Sequence, residues 1–307
     1  MFQICIPYAS CISSQALLSQ LLLGLINGAF YAMLSLGLAV IFGMLNVINF
    51  AHGAQYMIGA FVALIALKPA LVLGFDPGFS IPFWGALVVA PIVVGLFAVL
   101  IEKTFLDKLY QLDHLYGMLL TFGLALIIEG LFRKAFGSSG LPYDRPLEGA
   151  INLGFMVLPT YRGFAVLASL VICIATWFVI ENTQLGSYLR AATENPTLVR
   201  AFGINVPRMM TLTYAFGAGL AAMAGVLAAP IQNVSPTMGA NLIIVVFAVV
   251  VIGGMGSIMG SIVTGFALGL IEGLTKVFYP QASNAVIFII MAIVLLVRPA
   301  GLFGQAK

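Results

Sequence analysis

The chain is short of charge: only 7% of its 307 residues are Asp, Glu, Lys or Arg, against roughly 25% in ordinary globular proteins. That shortage excludes a water-soluble body, because too little polar surface exists to cover one. It also excludes nucleic acid as a partner, since 13 basic against 10 acidic residues leave a formal charge of +3, scattered along the chain with no basic face. Histidine is scarcer still. His52 and His114 stand far apart, and without a DxxD or HExxH pattern a membrane enzyme lacks the converging groups it needs. The three cysteines, Cys5, Cys11 and Cys173, form no CxxC and provide neither a disulfide framework nor a metal site. No GxxxxGK[ST] run occurs, so the chain has no phosphate-binding loop of that kind for ATP.

Apolar length is what the sequence has in excess. Hydrophobic residues make up 62% of it and the mean hydropathy is +1.13. Lipid cannot satisfy backbone groups, so long apolar runs must be helices of about 20 residues. Runs near 17–43, 54–73, 81–101, 116–135, 163–180, 209–230, 240–256, 258–278 and 283–298 meet that requirement. The reading is an all-α, polytopic transmembrane bundle of eight to ten spans, forming one domain over 1–307, with broken or re-entrant segments near 46–53 and 253–261. The latter, Gly253-Gly254-Met255-Gly256-Ser257, allows two short spans or a span plus a re-entrant half-helix. The start, MFQICIPYASC, has no basic n-region, which predicts an uncleaved N-terminus. Arg190, Arg200 and Arg208 in one polar segment, with Arg298 and Lys307 in the tail, outnumber Arg145 and Arg162 in the 136–162 loop. By the positive-inside rule this places the C-terminus in the cytoplasm.

Two polar stretches stand out. Glu181 to Met210 holds Glu181, Arg190, Glu194, Arg200 and Arg208. It reads as two short helices, the first capped by Ser187, the second by Asn195 with Pro196 at its first position and Gly203 as a left-handed stop. Leu198, Val199 and Phe202 beside Arg200 would make an apolar docking knob with a charged rim, whereas a plain solvated loop is the competing reading. The second stretch, Asn46-Val47-Ile48-Asn49-Phe50-Ala51-His52-Gly53, interrupts two apolar runs. It either lines a transport pathway, as helix breaks at membrane depth do, or is a turn in which Asn49 caps the next helix. His52 has no partner with which to bind a metal. Two acids lie within apolar runs, Glu129 and Glu272. Each has a base four residues on, Arg133 and Lys276, which favours ion pairs along one helix face over a proton relay. Lys68, at the end of its run, reads as snorkelling to the interface. Small residues at Gly24 and Gly28, Gly217, Ala221, Gly225 and Ala229, and Gly265, Gly269 and Gly273 predict close helix packing.

INFAHGAQYMIGAF (48–61), LGSYLRAATENPTLVRAFGINVPR (185–208), LTYAFGAGLAAMAGVLAAP (212–230), VVVIGGMGSIMGSIVTGFALGLIE (249–272) and RPAGLFG (298–304) together resemble the LivH-type permease subunit of branched-chain amino acid ABC importers, nearly end to end. The resemblance implies a multi-pass subunit of the bacterial inner membrane that is not itself an enzyme. Its partners would be a second homologous permease (LivM-type), two ATPase subunits (LivG- and LivF-type) that hold the ATP and Mg, and a periplasmic amino-acid-binding protein. It implies a cytoplasmic coupling helix pair at about 185–208 that meets the ATPases through Gly186, Arg190, Glu194, Asn195, Arg200 and Gly203, and polar points Asn46, Asn49, His52 and Gly53 along the pathway. Leucine, isoleucine and valine are the family's substrates, with urea, amides, aromatic acids and other amino acids taken by close relatives. The N-terminal MFQICIPYASCISS is longer and richer in cysteine than the family leads one to expect. The rival class is an ion-coupled secondary transporter or channel working alone, against which the paired state of Glu129 and Glu272 argues.

Overall fold

The computed structural model describes residues 3, 4, 12–45, 48–70, 74, 78, 80–110 and 112–304. Helices dominate: α1 (Ser14–Leu45), α2 (Ala51–Leu67), α3 (Phe83–Ile101), α4 (His114–Phe136), α5 (Thr160–Asn182), α6 (Gln184–Glu194), α7 (Pro196–Ala201), α8 (Val206–Ala228), α9 (Met238–Gly253), α10 (Ile258–Phe278) and α11 (Val286–Val297). The nine apolar runs fall on α1–α5 and α8–α11. Six of these helices are long and apolar enough to cross a membrane: α1, α3 with its continuation to Leu109, α4, α5, α8 and α10, while α2, α9 and α11 are shorter. Among the described residues, two short antiparallel strand pairs are additions that apolar patterning did not announce, β1 (Gln3–Ile4) with β2 (Ile12–Ser13) and the hairpin β3 (Ala150–Asn152) with β4 (Val157–Pro159).

The middle of the bundle is α1, apolar on every side and buried over most of its length, as a helix surrounded by other helices must be. It lies chiefly against α10 and α8. The small-residue stripes are the contact surfaces: a Cβ on Gly269 would run into the backbone of Gly28 and Gly24, and one on Gly59 of α2 into the backbone of Ala222 on α8. Such contacts draw their stability from van der Waals packing, since burying apolar side chains gains little where the solvent is itself apolar.

The chain repeats one arrangement twice, inverted. Met44 of α1 lies against Thr213 of α8, and Gly37 against Gly217, so the two helices run antiparallel. Each is followed by a short helix that starts partway back along it. His52 of α2 touches Leu34 of α1, roughly 16 Å from the end of α1 at a rise of about 1.5 Å per residue. Then α3 packs on α8 as α10 packs on α1, and α4 flanks α2 as α11 flanks α9. The contacts near the axis are reciprocal: a Cβ on Gly37 would lie 2.8 Å from the Gly217 carbonyl oxygen, and one on Gly217 2.8 Å from that of Gly37. Gly53 and Gly239, in the first turns of α2 and α9, meet in the same mutual way. From there α2 runs toward Gly225, and α9 toward Gly43 at the opposite end.

The repeat also sets its two buried carboxylates in matching positions. Glu102, just past α3, accepts from Thr211 of α8 (2.8 Å) and from Tyr110 (3.1 Å). Glu272 on α10 accepts from Tyr31 of α1 (2.7 Å) and pairs with Lys276. Burial, with Glu102 alongside, holds the Tyr110 hydroxyl well above the usual phenol range, so it remains a donor. At one end of the bundle Gln15 reaches the carbonyl of Phe155 in the β3–β4 hairpin (2.8 Å), Lys68 pairs with Asp144 (2.6 Å), and Leu141 bridges to Val234. The other end carries α6, α7 and the tail, where Phe303 donates to the Gly253 carbonyl (3.1 Å).

Gly269→Leu should push α1 and α10 apart and cost about 3 kcal/mol or more, read as a lower melting temperature of the detergent-solubilised chain. Gly123→Leu, where an added Cβ meets nothing within 4 Å, should leave it near the native value. Equal losses would show that the stripe is not a tight contact.

Candidate functional site

Two regions gather the residues singled out by sequence. The first is the elbow after α5. Thr183 is extended, and α6 folds back so tightly that any Cβ on Gly186 would overlap the Ile180 carbonyl oxygen. Arg190 fastens the bend by donating to that same carbonyl (3.3 Å) and to Glu181 Oε2 (3.1 Å). Because α6 begins at Gln184, Ser187 lies inside the helix, where its backbone N–H bonds back to Thr183, and it does not cap. Asn195 does cap α7, accepting from the Leu198 N–H (2.9 Å) with Pro196 next in line, and Gly203 ends the pair at φ +82°. Asn205 then caps α8 through the Arg208 N–H (3.1 Å), so little slack separates the pair from a long membrane helix.

The faces of the elbow are sorted by packing. Ala192, Val199 and Val206 bury against Met44 at the end of α1, so Val199 belongs to the inward face and not to the outward knob. Leu185, Leu198 and Phe202 remain outside, with Phe202 77% exposed. Glu194 and Arg200 are exposed beside them, and Arg200 has no ion-pair partner among the described residues. An aromatic and leucine surface with an arginine at its edge, mounted on a stiff two-helix bracket, has the composition of a protein-docking patch.

The second region is where α2 and α9 begin. Asn46 lies outside the described residues. Asn49 is buried and accepts the Ala51 N–H (3.1 Å), and Gln55 donates to Tyr214 of α8 (3.2 Å). Thr121 of α4 accepts the Phe50 N–H (3.2 Å). His52, fully buried, approaches the Leu34 carbonyl through Nε2 (3.0 Å), which makes Nε2 the protonated nitrogen of that pair. These side chains tie the start of α2 to α1, α4 and α8. Gly53 instead faces a cavity of about 330 Å³ between α2, α4 and α9, walled by Phe50, Met57, Phe122, Ile243 and Ile244, with Glu129 as its charged member.

The walls from α4 and α9 were not anticipated from sequence. Gln232-Asn233-Val234-Ser235-Pro236, a polar run between two apolar ones like that at 46–53, was the available signal. The 253–261 segment is a tight turn between α9, a shorter helix, and α10, which is long enough to cross a membrane, so the pair is closer to a span plus a half-helix than to two short spans. Gly254 and Gly256 have φ of +101° and +83°, and Ser257 caps α10 through the Gly260 N–H (3.1 Å). The segment that corresponds in the repeat to the lead-in of α2 at 48–50 lies at 229–237, ahead of α9.

A family model described as branched-chain amino acid transport system / permease component matches residues 20–295. The chain belongs to this family. It is 27% identical over 300 residues to the high-affinity branched-chain amino acid transport system permease protein LivH of Escherichia coli K12, covering 94% of this chain and 96% of that protein. With BraD of Pseudomonas aeruginosa, of the same description, it shares 30% identity over 299 residues, covering 94% and 96%. A probable LivH of Methanocaldococcus jannaschii is 28% identical over 290 residues, covering 89% and 88%.

Asn49→Ala should orphan the Ala51 N–H and remove the 3.5 Å hydrogen bond that Asn49 Nδ2 donates to Gln55 Oε1, lowering stability by about 1–2 kcal/mol, with uptake per assembled complex unchanged. Asn49→Ser, which keeps a capping oxygen, should recover part of that loss in the same thermal-unfolding measurement.

Proposed function

We propose that this chain is the membrane-embedded permease subunit of a binding-protein-dependent ABC importer of the bacterial inner membrane that carries branched-chain amino acids. The partners in this reading are a homologous LivM-type permease, two ATPases of LivG and LivF type, and a periplasmic amino-acid-binding protein; ATP and Mg belong to the ATPases. The observation that carries it is the elbow. Its inward face is packed on the ends of α1 and α8, and its outward face offers Leu185, Leu198, Phe202 and Arg200 to another protein. A channel or secondary transporter working alone has no use for such a bracket.

In this reading the elbow faces the cytoplasm and the β3–β4 hairpin the periplasm. The chain then passes through the membrane nine times, with α2 and α9 as half-length helices that meet near mid-depth. Gly186, Arg190, Asn195 and Gly203 keep the bracket stiff, and Glu194 and Arg200 meet the ATPase. ATP binds the closed ATPase pair more tightly than the open one, and that difference in affinity is the drive. The bracket passes the closure to α1 and α8 as a rigid-body movement, which changes the side from which the space beside Gly53 is open. The apolar side chain of leucine, isoleucine or valine fits a pathway with walls of this composition, while Asn49 and His52 hold its shape from behind.

Purification of the tagged chain from its native membrane should recover a second permease and two ATPases, with ATP hydrolysis stimulated by leucine-loaded binding protein. Recovery of the chain alone with gradient-driven uptake would defeat the importer reading. Arg200→Glu should leave the folded yield unchanged and reduce leucine uptake per ATP hydrolysed by roughly tenfold, about 1.4 kcal/mol of coupling; an unaltered ratio would remove Arg200 from the ATPase contact.

A further inference from the structure

The ion pair Glu129–Arg133 is oddly placed if its only task is to neutralise itself. On α4, Phe122, Ala125, Leu126 and Glu129 recur at helical spacing and all line the cavity between α2, α4 and α9. Arg133 continues the same stripe one turn further on, toward the end of the bundle that holds the β3–β4 hairpin, and its side chain is half exposed where that of Glu129 is mostly covered. Toward its other end the outward face of α4 is mostly apolar, with Leu115, Tyr116, Leu119, Ile127 and Leu131 exposed, and Lys134 stands beside Arg133 in the last turn. Glu129 is thus the one charge lining an otherwise apolar pocket of about 330 Å³, with Arg133 paired to it one turn beyond the lining, and the volume is within the size range of small-ligand sites, about 300–1,000 Å³.

We propose that this cavity is a transient subsite for an apolar α-amino acid. The side chain enters between Phe50, Phe122 and Ile243, the ammonium group pairs with Glu129, and the carboxylate pairs with Arg133. A zwitterion carries the same two charges as the pair, so each protein charge exchanges one partner for another and none is left bare. The arginine of the pair is half exposed, so an incoming carboxylate can reach it. The apolar walls accept leucine, isoleucine and valine and give nothing to a charged or strongly polar side chain. The choice of substrate rests on the importer reading above; the site itself rests on the cavity and the pair at its rim.

The test uses the complete complex in proteoliposomes with binding protein, following radiolabelled leucine uptake and ATP hydrolysis in the same vesicles. Glu129→Gln and Ala240→Trp, the latter filling the cavity from an exposed position, should each lower uptake per ATP at least tenfold. The double variant Glu129→Gln/Arg133→Gln should be no better than Glu129→Gln alone. Recovery of the double variant to the native ratio would show that the pair is only structural and overturn the proposal, as would a native ratio in both Glu129→Gln and Ala240→Trp. Uptake by the native chain without ATPases would sink the importer reading instead, and the same variants would then judge the cavity by uptake rate.

Discussion

Close approach of backbones at glycine is the contact on which this architecture rests. In lipid, apolar side chains gain little by turning inward, so helices associate where their surfaces are small enough to touch. Gly37 with Gly217 and Gly53 with Gly239 meet across the axis of the inverted repeat, and the Gly24–Gly28 and Gly265–Gly273 stripes lock α1 to α10. A side chain at any of these positions would separate helices whose contacts define the bundle. The symmetry is itself a packing solution: one arrangement of four helices, used in both orientations, lets the third helix of each set close upon the first helix of the other.

Half-length helices carry a liability that the structure meets locally. A helix beginning at membrane depth exposes N–H groups with no water to satisfy them. At α2 those groups are taken by Asn49 and Thr121, and Gln55 and Tyr214 continue the polar contacts into α8. The polar residues that look functional at 49–56 are therefore mostly the means by which a broken helix is tolerated. What the break leaves beside it is a space walled by Phe50, Gly53 and Met57 from one half of the repeat and by Gly239 and Ile243 from the other.

Bracket and cavity are joined through α1 and α8. Met44, against which the elbow packs, lies at the end of α1, while α8, entered directly from the elbow, holds Tyr214 against Gln55 of α2. Glu102 joins α8 to α3 at the same end, and Glu272 joins α1 to α10 at the other. A displacement of the elbow thus acts on the first helix of both halves, through hydrogen-bonded and tightly packed contacts that have little room to yield.

Much of this was legible without coordinates, where a signal is local. Apolar length set the helices, Asn195-Pro196 and Gly203 set the bounds of α7, and the four-residue spacing of Glu129 with Arg133 and Glu272 with Lys276 set their pairing. These depend on the geometry of one helix or one cap, and the sequence determines such geometry by itself. What tertiary structure decided was which side of a residue faces which neighbour. Val199 is buried because the end of α1 lies beneath it, Ser187 is not a cap because the bend comes at Thr183, where Gly186, lacking a Cβ, lets α6 fold closely onto Ile180, and α9 begins at mid-bundle, where Gly239 meets Gly53. Contacts of that kind join residues far apart in the chain. No periodicity in either segment announces them, because each surface is complementary only to the other.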